Sequence, residues 1–201
     1  MRKRYHCYKS GGGSIMAVTY NFTGTNAIDQ GADWYATFIY KQPAEITNIT
    51  ANGTTVTYTA ANGFTPGQTV SIDGVLPPQY NLQNVTVASA NATLFTVTNG
   101  ATGTYISGGM ATAPVNITGY SAQMQLRSLP EDATAVLSLS SPSNGITIGG
   151  ANGQVNVHAT NVQTGAIDEG IYYYDIEITS GGGIITRLAQ GQILVSPEVT
   201  R

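Results

Sequence analysis

The sequence predicts an all-β protein: an antiparallel β-sandwich body with a small β-barrel inserted into one of its loops. Three observations predict it. Apolar and polar residues alternate with period two in one short stretch after another. Turn signals built on Gly, Asn and Pro separate those stretches. The polar share of the 201 residues is carried by Thr, Asn, Ser and Gln, with charged residues at only 9%, unlike the Ala/Glu/Lys/Leu/Arg usage of coiled coils and long-helix bundles. Hydrophobic residues at 41% argue against charge-driven disorder. No apolar run reaches the roughly 18 residues of a membrane-spanning helix.

The opening stretch, residues 1–15, reads MRKRYHCYKSGGGSI and holds four of the eight basic residues, Arg2, Lys3, Arg4 and Lys9. It lacks the apolar core of a secretory signal. Its Gly-rich run predicts a flexible leader, and Met16 behind it is a candidate native start. From Met16 onward four basic residues face all eleven acidic ones, a net of −7. That balance excludes a nucleic-acid-binding body, which needs clustered Lys and Arg. Cys7 is the single cysteine, so an intrachain disulfide is ruled out. Six Asn-x-Thr triplets begin at Asn21, Asn48, Asn52, Asn84, Asn91 and Asn116; they read as a by-product of Thr- and Asn-rich strands.

Trp34–Lys41 is an apolar strand, with Trp34, Ala36, Phe38 and Tyr40 on one face. From Ala44 to Ala111 charge almost vanishes, Glu45 and Asp73 excepted, and hairpin signals crowd together. Ile46–Ala51 and Thr54–Thr59 flank Asn52-Gly53, which predicts a type I′ turn. Pro66-Gly67 precedes a strand at Thr69–Ile72, and Tyr80–Ala88 pairs with Thr93–Thr98 across Ser89–Ala92. Five or six short strands in this span suit a small barrel. The body is then residues 16–43 plus 112–201, interrupted by 44–111. Ser121–Arg127 and Gln154–Ala159 alternate as half-buried strands, a single helical turn is expected near Thr160–Gly165, and Ile171–Thr179 pairs with Ile184–Val195 across the Ser180–Gly183 turn.

Catalytic patterns are sparse. Of the acidic pairs, Asp29 with Asp33, Glu131 with Asp132, and Asp175 with Glu177, only the last sits two apart on one strand face. No EF-hand spacing accompanies them. His158 falls on the polar face of its strand, and His6 lies in the leader. No nucleophile-elbow motif is present, and the Gly pairs precede no phosphate-loop Lys. The expectation is a non-enzyme without catalytic residues, metal or cofactor.

Asp168-Glu169-Gly170-Ile171-Tyr172, entering a strand, resembles the tyrosine corner of immunoglobulin-like sandwiches. That resemblance implies a structural corner of Asp168, Gly170 and Tyr172, with Tyr174 in the place of the second disulfide cysteine of antibody domains. Tyr173 points the other way.

A wider resemblance rests on an ordered set of landmarks. These are Asp29-Gln30-Gly31-Ala32-Asp33-Trp34, Pro114–Arg127, Gly145–Gly150, Gly170–Glu177 and the ending Gly191–Arg201 with Ser196-Pro197-Glu198-Val199-Thr200-Arg201. In this order they resemble tail-associated virion proteins of tailed bacteriophages, similar to the N-terminal domain of baseplate upper proteins. Within 44–111, Ile46-Thr47-Asn48-Ile49, Gly63-Phe64-Thr65-Pro66-Gly67-Gln68-Thr69-Val70-Ser71-Ile72-Asp73-Gly74-Val75, Tyr80-Asn81 and Phe95-Thr96-Val97 resemble a small β-barrel repeat of phage tail and fibre proteins, similar to a β-domain of ubiquitin-activating enzymes. The resemblance implies a virion structural protein assembled in the host cytoplasm, docked on other tail proteins as a homo-oligomeric trimer or ring, with no nucleic-acid or membrane partner. Arg127, Arg187 and Arg201 are then candidate interface cations. The alternative is a carbohydrate- or host-receptor-binding module using Tyr58, Tyr80, Tyr105 or Tyr173.

Overall fold

A computed structural model describes residues 3–9 and 17–199. The protein is mostly β, built on two antiparallel-rich sheets. In chain order the first strands are β1 (Arg4–Tyr8), β2 (Val18–Thr19), β3 (Ile28–Asp29) and β4 (Trp34–Glu45). They are followed by β5 (Asn48–Ala51), β6 (Thr55–Thr59), β7 (Thr69–Asp73), β8 (Leu82–Ala90), β9 (Leu94–Thr98) and β10 (Met110–Pro114). The rest are β11 (Ser121–Arg127), β12 (Leu137–Ser140), β13 (Ile146–Ile148), β14 (Gln154–Ala159), the helical turn α1 (Asn161–Gly165), β15 (Gly170–Thr179) and β16 (Ile185–Ser196). Among the described residues two compact units result: 3–8, 17–40 and 116–199 form one, and 41–115 with Lys9 the other. The junctions fall at Tyr40 and Val115, a few residues outside the expected 43 and 112. The reason is that β4 does not stop at Pro43 but runs on to Glu45, with Lys41–Glu45 paired antiparallel to β10.

In the first unit one layer has the order β13-β14-β4, with β1 also on β4; the other has the order β12-β11-β15-β16-β2, with β3 also on β16. The alternation expected from sequence is realised in β11 and β14. Ala122, Met124 and Leu126 are buried between more exposed Ser121, Gln123, Gln125 and Arg127, and Val155, Val157 and Ala159 are buried between half-exposed neighbours. β4 differs. Thr37 and Ile39 are buried as well as Ala36, Phe38 and Tyr40. A polar side chain there needs a partner, and the Thr37 hydroxyl donates to Asn156 Oδ1 at 2.9 Å. α1 starts on a capping box, with the Gln163 N–H donating to Thr160 Oγ1 and the Thr160 N–H to Gln163 Oε1.

The sheet edge also departs from a purely antiparallel plan. β2 and β3 lie parallel to β16, and Phe22 bridges to Ile193 in the same sense. Parallel neighbours cannot be joined by a hairpin; here they come from opposite ends of the chain, so no hairpin is required. Phe22 is driven between the layers, against Trp34 (5.3 Å between ring centres), Tyr174 (5.1 Å) and Phe38 (6.3 Å). Its burial contributes about 1.5–3 kcal/mol, and edge-to-face pairs add about 0.5–1.5 kcal/mol each.

The leader expectation is corrected for its first part. Arg4–Tyr8 is a strand, Cys7 is 1% exposed, and the Tyr5 ring packs on Tyr20, Phe22 and Phe38. The signal was present but short: Tyr5 and Cys7 alternate with Arg4, His6 and Tyr8. The Gly-rich run and Met16 lie outside the described residues.

In the second unit the order is β4 (its Lys41–Glu45 part), β10, β7, β8, β9, β6, β5. Its core is drawn from residues 44–113 alone and includes Tyr58, Phe64, Ile72, Tyr80, Phe95 and Val97. The β5–β6 turn is not the type I′ expected, which needs positive φ at both central residues. Gly53 has φ 84°, but Asn84 is the one non-glycine residue with positive φ among those described. Asn52 instead accepts, on Oδ1, the N–H groups of Thr54 and Thr55 and the Thr54 hydroxyl. Asn91 does the same for Thr93 and Leu94 in the β8–β9 turn, and in the first unit Asn116 accepts from the Thr118 N–H. Three of the six Asn-x-Thr triplets are therefore Asx turns.

Two outcomes follow. Deleting residues 1–9 removes the Cys7 and Tyr5 packing, so Tm should fall by about 5 °C, since a domain of this size loses roughly 2–4 °C per kcal/mol. A calorimetric Tm unchanged within a degree would show that β1 contributes nothing. Burial also pushes up the phenols of Tyr40, to about 12, and of Tyr58 and Tyr174. A raised folded pKa gives stability that is complete below the ordinary value near 10 and is lost as pH climbs through the folded values. Urea melts should weaken from pH 10 upward; equal stability at about pH 9 and about pH 12 would contradict this.

Candidate functional site

The corner motif folds as a backbone anchor. Tyr172, 8% exposed, donates its hydroxyl to the Asp168 carbonyl at 2.8 Å. α1 reaches the segment before β4, where the buried Thr164 hydroxyl donates to the Ala32 carbonyl at 2.8 Å and the Asn161 N–H donates to Asp33 Oδ1 at 2.7 Å. β15 then sends three adjacent tyrosines in alternating directions. Tyr174 goes inward, its hydroxyl donating to the Tyr20 carbonyl at 2.9 Å. Tyr173 goes outward and is 37% exposed.

The outward direction leads to a cleft of about 550 Å³ on the free face of the β12-β11-β15-β16-β2 layer. Cross-strand register builds its floor in two rows. Arg127, Tyr173 and Gln192 stand side by side on β11, β15 and β16, and so do Gln125, Asp175 and Gln190. Thr19 and Asn21 close one flank and Pro130 the other. The Asn21 flank is brought near by Gly191: a Cβ there would lie 2.2 Å from the Tyr20 carbonyl oxygen, at a φ of 155°. Gly is thus required for the parallel segment to lie against β16.

The charged side chains are tied to one another. Arg187 Nη2 lies 3.0 Å from Asp175 Oδ2 and 3.1 Å from Glu177 Oε1, and Nη1 donates to Gln190 Oε1 at 3.2 Å. Arg127 donates to Gln125 Oε1 at 2.7 Å and to the Asp132 carbonyl. Partial burial pushes the Asp175 carboxyl up, Arg187 and Arg127 pull it down, Glu177 adds to the rise, and the net direction is up.

The remaining candidates are scattered. Tyr58 and Tyr80 are 0% exposed; their hydroxyls donate to the Tyr80 and Gly103 carbonyls. They are core residues, which corrects the expectation that they form an exposed recognition surface. The apolar environment claims the rings while a backbone acceptor satisfies each hydroxyl. Tyr105 is half-buried, with its hydroxyl directed at the Ile46 and Gly108 carbonyls. Arg127 and Arg187 make internal bonds, and Arg201 lies outside the described residues. His158 stacks on Tyr35 at 4.3 Å, its Nε2 3.5 Å from Asp33 Oδ1. Sequence reasoning missed Gln125, Gln190 and Gln192 as members of one site; their spacing on alternating strands was the available signal. Among the described residues no group of three His, Cys, Asp or Glu is placed to hold a metal ion, and no helix is long and apolar enough to cross a membrane. No protein-family model matches the chain, and no curated protein matches its sequence.

The inward Tyr172 and the outward Tyr173 separate by consequence. Tyr172→Phe leaves the Asp168 carbonyl without its donor and should cost about 1–3 kcal/mol. Tyr173→Phe should cost under ~0.5 kcal/mol. Urea melts of both variants check the pair; equal losses would refute the corner role.

Proposed function

We propose that the chain is a non-enzymatic structural component of a tailed-phage virion, in the tail or baseplate region, acting through protein–protein contacts. In this reading the first unit is an immunoglobulin-like sandwich and the second a small inserted β-barrel. The observation that carries it is the meeting of the first and last sequence landmarks. β3 runs along the end of β16, the Ser196 hydroxyl donates to Asp29 Oδ1 at 2.7 Å, the Gln30 N–H donates to the Ser196 carbonyl at 3.0 Å, and the Glu198 N–H donates to Gln30 Oε1 at 3.2 Å. Residues whose order carries the phage resemblance thus form one end of the first unit, and not a scatter of strand-like sequence.

The finer fold has its own support. The Tyr172–Asp168 bond is the contact a tyrosine corner makes. For the barrel, only Ile46 and Thr47 separate the end of β4 at Glu45 from the start of β5 at Asn48, yet these are the first and last strands of the order β4-β10-β7-β8-β9-β6-β5. A link of two residues spans at most about 10 Å, so such a sheet must curl toward closure. With Arg127 and Arg187 bonded internally, contact with neighbouring virion proteins or with further copies in a trimer or ring falls to exposed apolar groups. Ile184 and Ile185, 70% and 61% exposed beside the β15–β16 turn, form an adjacent pair of this kind in the first unit.

Mass spectrometry of purified particles from an infected host should find the chain at fixed stoichiometry, and native mass spectrometry should give a trimer or larger ring. Ile184→Asp with Ile185→Asp should lower incorporation at least tenfold while the melt stays within ~0.5 kcal/mol. Absence of the chain from particles would overturn the reading.

A further inference from the structure

We propose that the cleft around Tyr173 binds a neutral saccharide. The proposal is independent of the virion reading and rests on how the sheet arrays its side chains. Adjacent strands stand about 4.8 Å apart, and same-face residues on one strand about 7 Å. The rows Arg127–Tyr173–Gln192 and Gln125–Asp175–Gln190 therefore form a continuous polar grid, with an aromatic ring in it, on the cleft floor. The volume of about 550 Å³ falls within the range of small-ligand sites and accommodates a short oligosaccharide.

The grid also has the right chemistry. Gln125, Gln190 and Gln192 each carry a paired donor and acceptor, which suits neighbouring hydroxyls that must both give and take a hydrogen bond. The Asp175 carboxylate, one oxygen of which already meets Arg187, can accept from a ligand hydroxyl as well, and charge-assisted bonds of this kind are the stronger ones. Tyr173 offers an exposed ring in the middle of the row, an amphipathic platform for the C–H face of a sugar. Arg187 is held by Asp175, Glu177 and Gln190, and Arg127 by Gln125 and the Asp132 carbonyl. Side chains already fixed lose little freedom when a ligand arrives, which lowers the cost of binding.

Charge selects the neutral class. Arg187 is paired with Asp175 and Glu177, and Arg127 lies near enough to Asp175 to pull its carboxyl down, so two cations and two carboxylates offset one another around the cleft and no unpaired cluster of cations awaits a phosphate, sulfate or carboxylate. The floor is amide-rich and concave, which distinguishes it from the broad, flat patch of a protein interface. Both carboxylates lie on the same strand and share Arg187; they orient the site and are not assigned to bond cleavage.

The test uses the full chain on an array of neutral glucose-, galactose- and mannose-based oligosaccharides beside sialylated and sulfated ones, followed by titration calorimetry with the best neutral ligand. Binding of at least one neutral oligosaccharide is expected. Tyr173→Ala and the double variant Gln125→Ala/Gln190→Ala should each weaken it at least tenfold with Tm unchanged, while Tyr173→Phe, which keeps the ring, should stay within about threefold. Should Tyr173→Ala prove unstable, the Gln125, Gln190 and Gln192 side-chain NH₂ signals of the unaltered chain still report: they should shift on titration. No binding to any neutral glycan, binding confined to acidic glycans, or neutral binding that leaves those amide signals unmoved would each overturn the proposal. None of these outcomes bears on whether the chain is found in particles.

Discussion

The first unit depends on the seating of Phe22 between its two layers. That ring touches Trp34 and Phe38 from one layer and Tyr174 from the other, with Tyr5 against it as well. It gets there because residues 18–29 lie parallel to β16, held by the Tyr20 N–H on the Gln190 carbonyl, the Phe22 N–H on the Gln192 carbonyl and the Leu194 N–H on the Phe22 carbonyl. The approach is possible only over Gly191, where any Cβ would collide with the Tyr20 carbonyl. A core wedge, a sheet edge and the flank of the outer cleft thus share one constraint. Moving the segment would empty the interior and open the cleft at the same time.

The three tyrosines of β15 show how one local pattern is divided among three tasks. Alternation sends Tyr172 and Tyr174 inward and Tyr173 outward. The inward pair cannot bury a hydroxyl unpaired, so each finds a carbonyl, Asp168 for one and Tyr20 for the other. The Tyr174 bond ties β15 to the same parallel segment that carries Phe22. Tyr173, relieved of packing, is the ring left for the cleft. Its neighbours are set by register: a one-residue slip of β11 or β16 would exchange Arg127 and Gln192 for apolar residues.

The second unit explains the unusual composition. Low charge and abundant Asn and Thr would be hard to reconcile with a stable fold if polarity served only solubility. Here Asn52 and Asn91 each accept backbone N–H groups in turns, and Thr54 and Thr93 complete the bond pattern with their hydroxyls. Such local bonds occupy N–H groups that the tight turns leave outside the strand ladders. The core behind them is aromatic, with Tyr58 stacked on Phe95 at 4.9 Å and Phe64 edge-on to the same ring.

What the sequence determined by itself is whatever depends on neighbours a few residues apart. The all-β class, the bounds of β11 and β14, the β15–β16 hairpin and the helical turn at Thr160 follow from side-chain period and turn chemistry acting over short spans, while the Tyr172–Asp168 bond was legible only through a motif resemblance. Tertiary structure decided the rest. Arg4–Tyr8 became a strand only because β4 offered an edge and Tyr20, Phe22 and Phe38 offered rings. Tyr58 and Tyr80 became core because pairing between separate strands gathers them into one buried cluster with Phe64, Phe95 and Val97. The parallel pairing of β2 and β3 with β16 joins residues about 170 positions apart, and no local propensity carries such a pairing. The cleft is of the same kind: Gln125, Tyr173 and Gln190 are ordinary strand residues in sequence, and they become a site only where hydrogen-bond register sets three strands side by side.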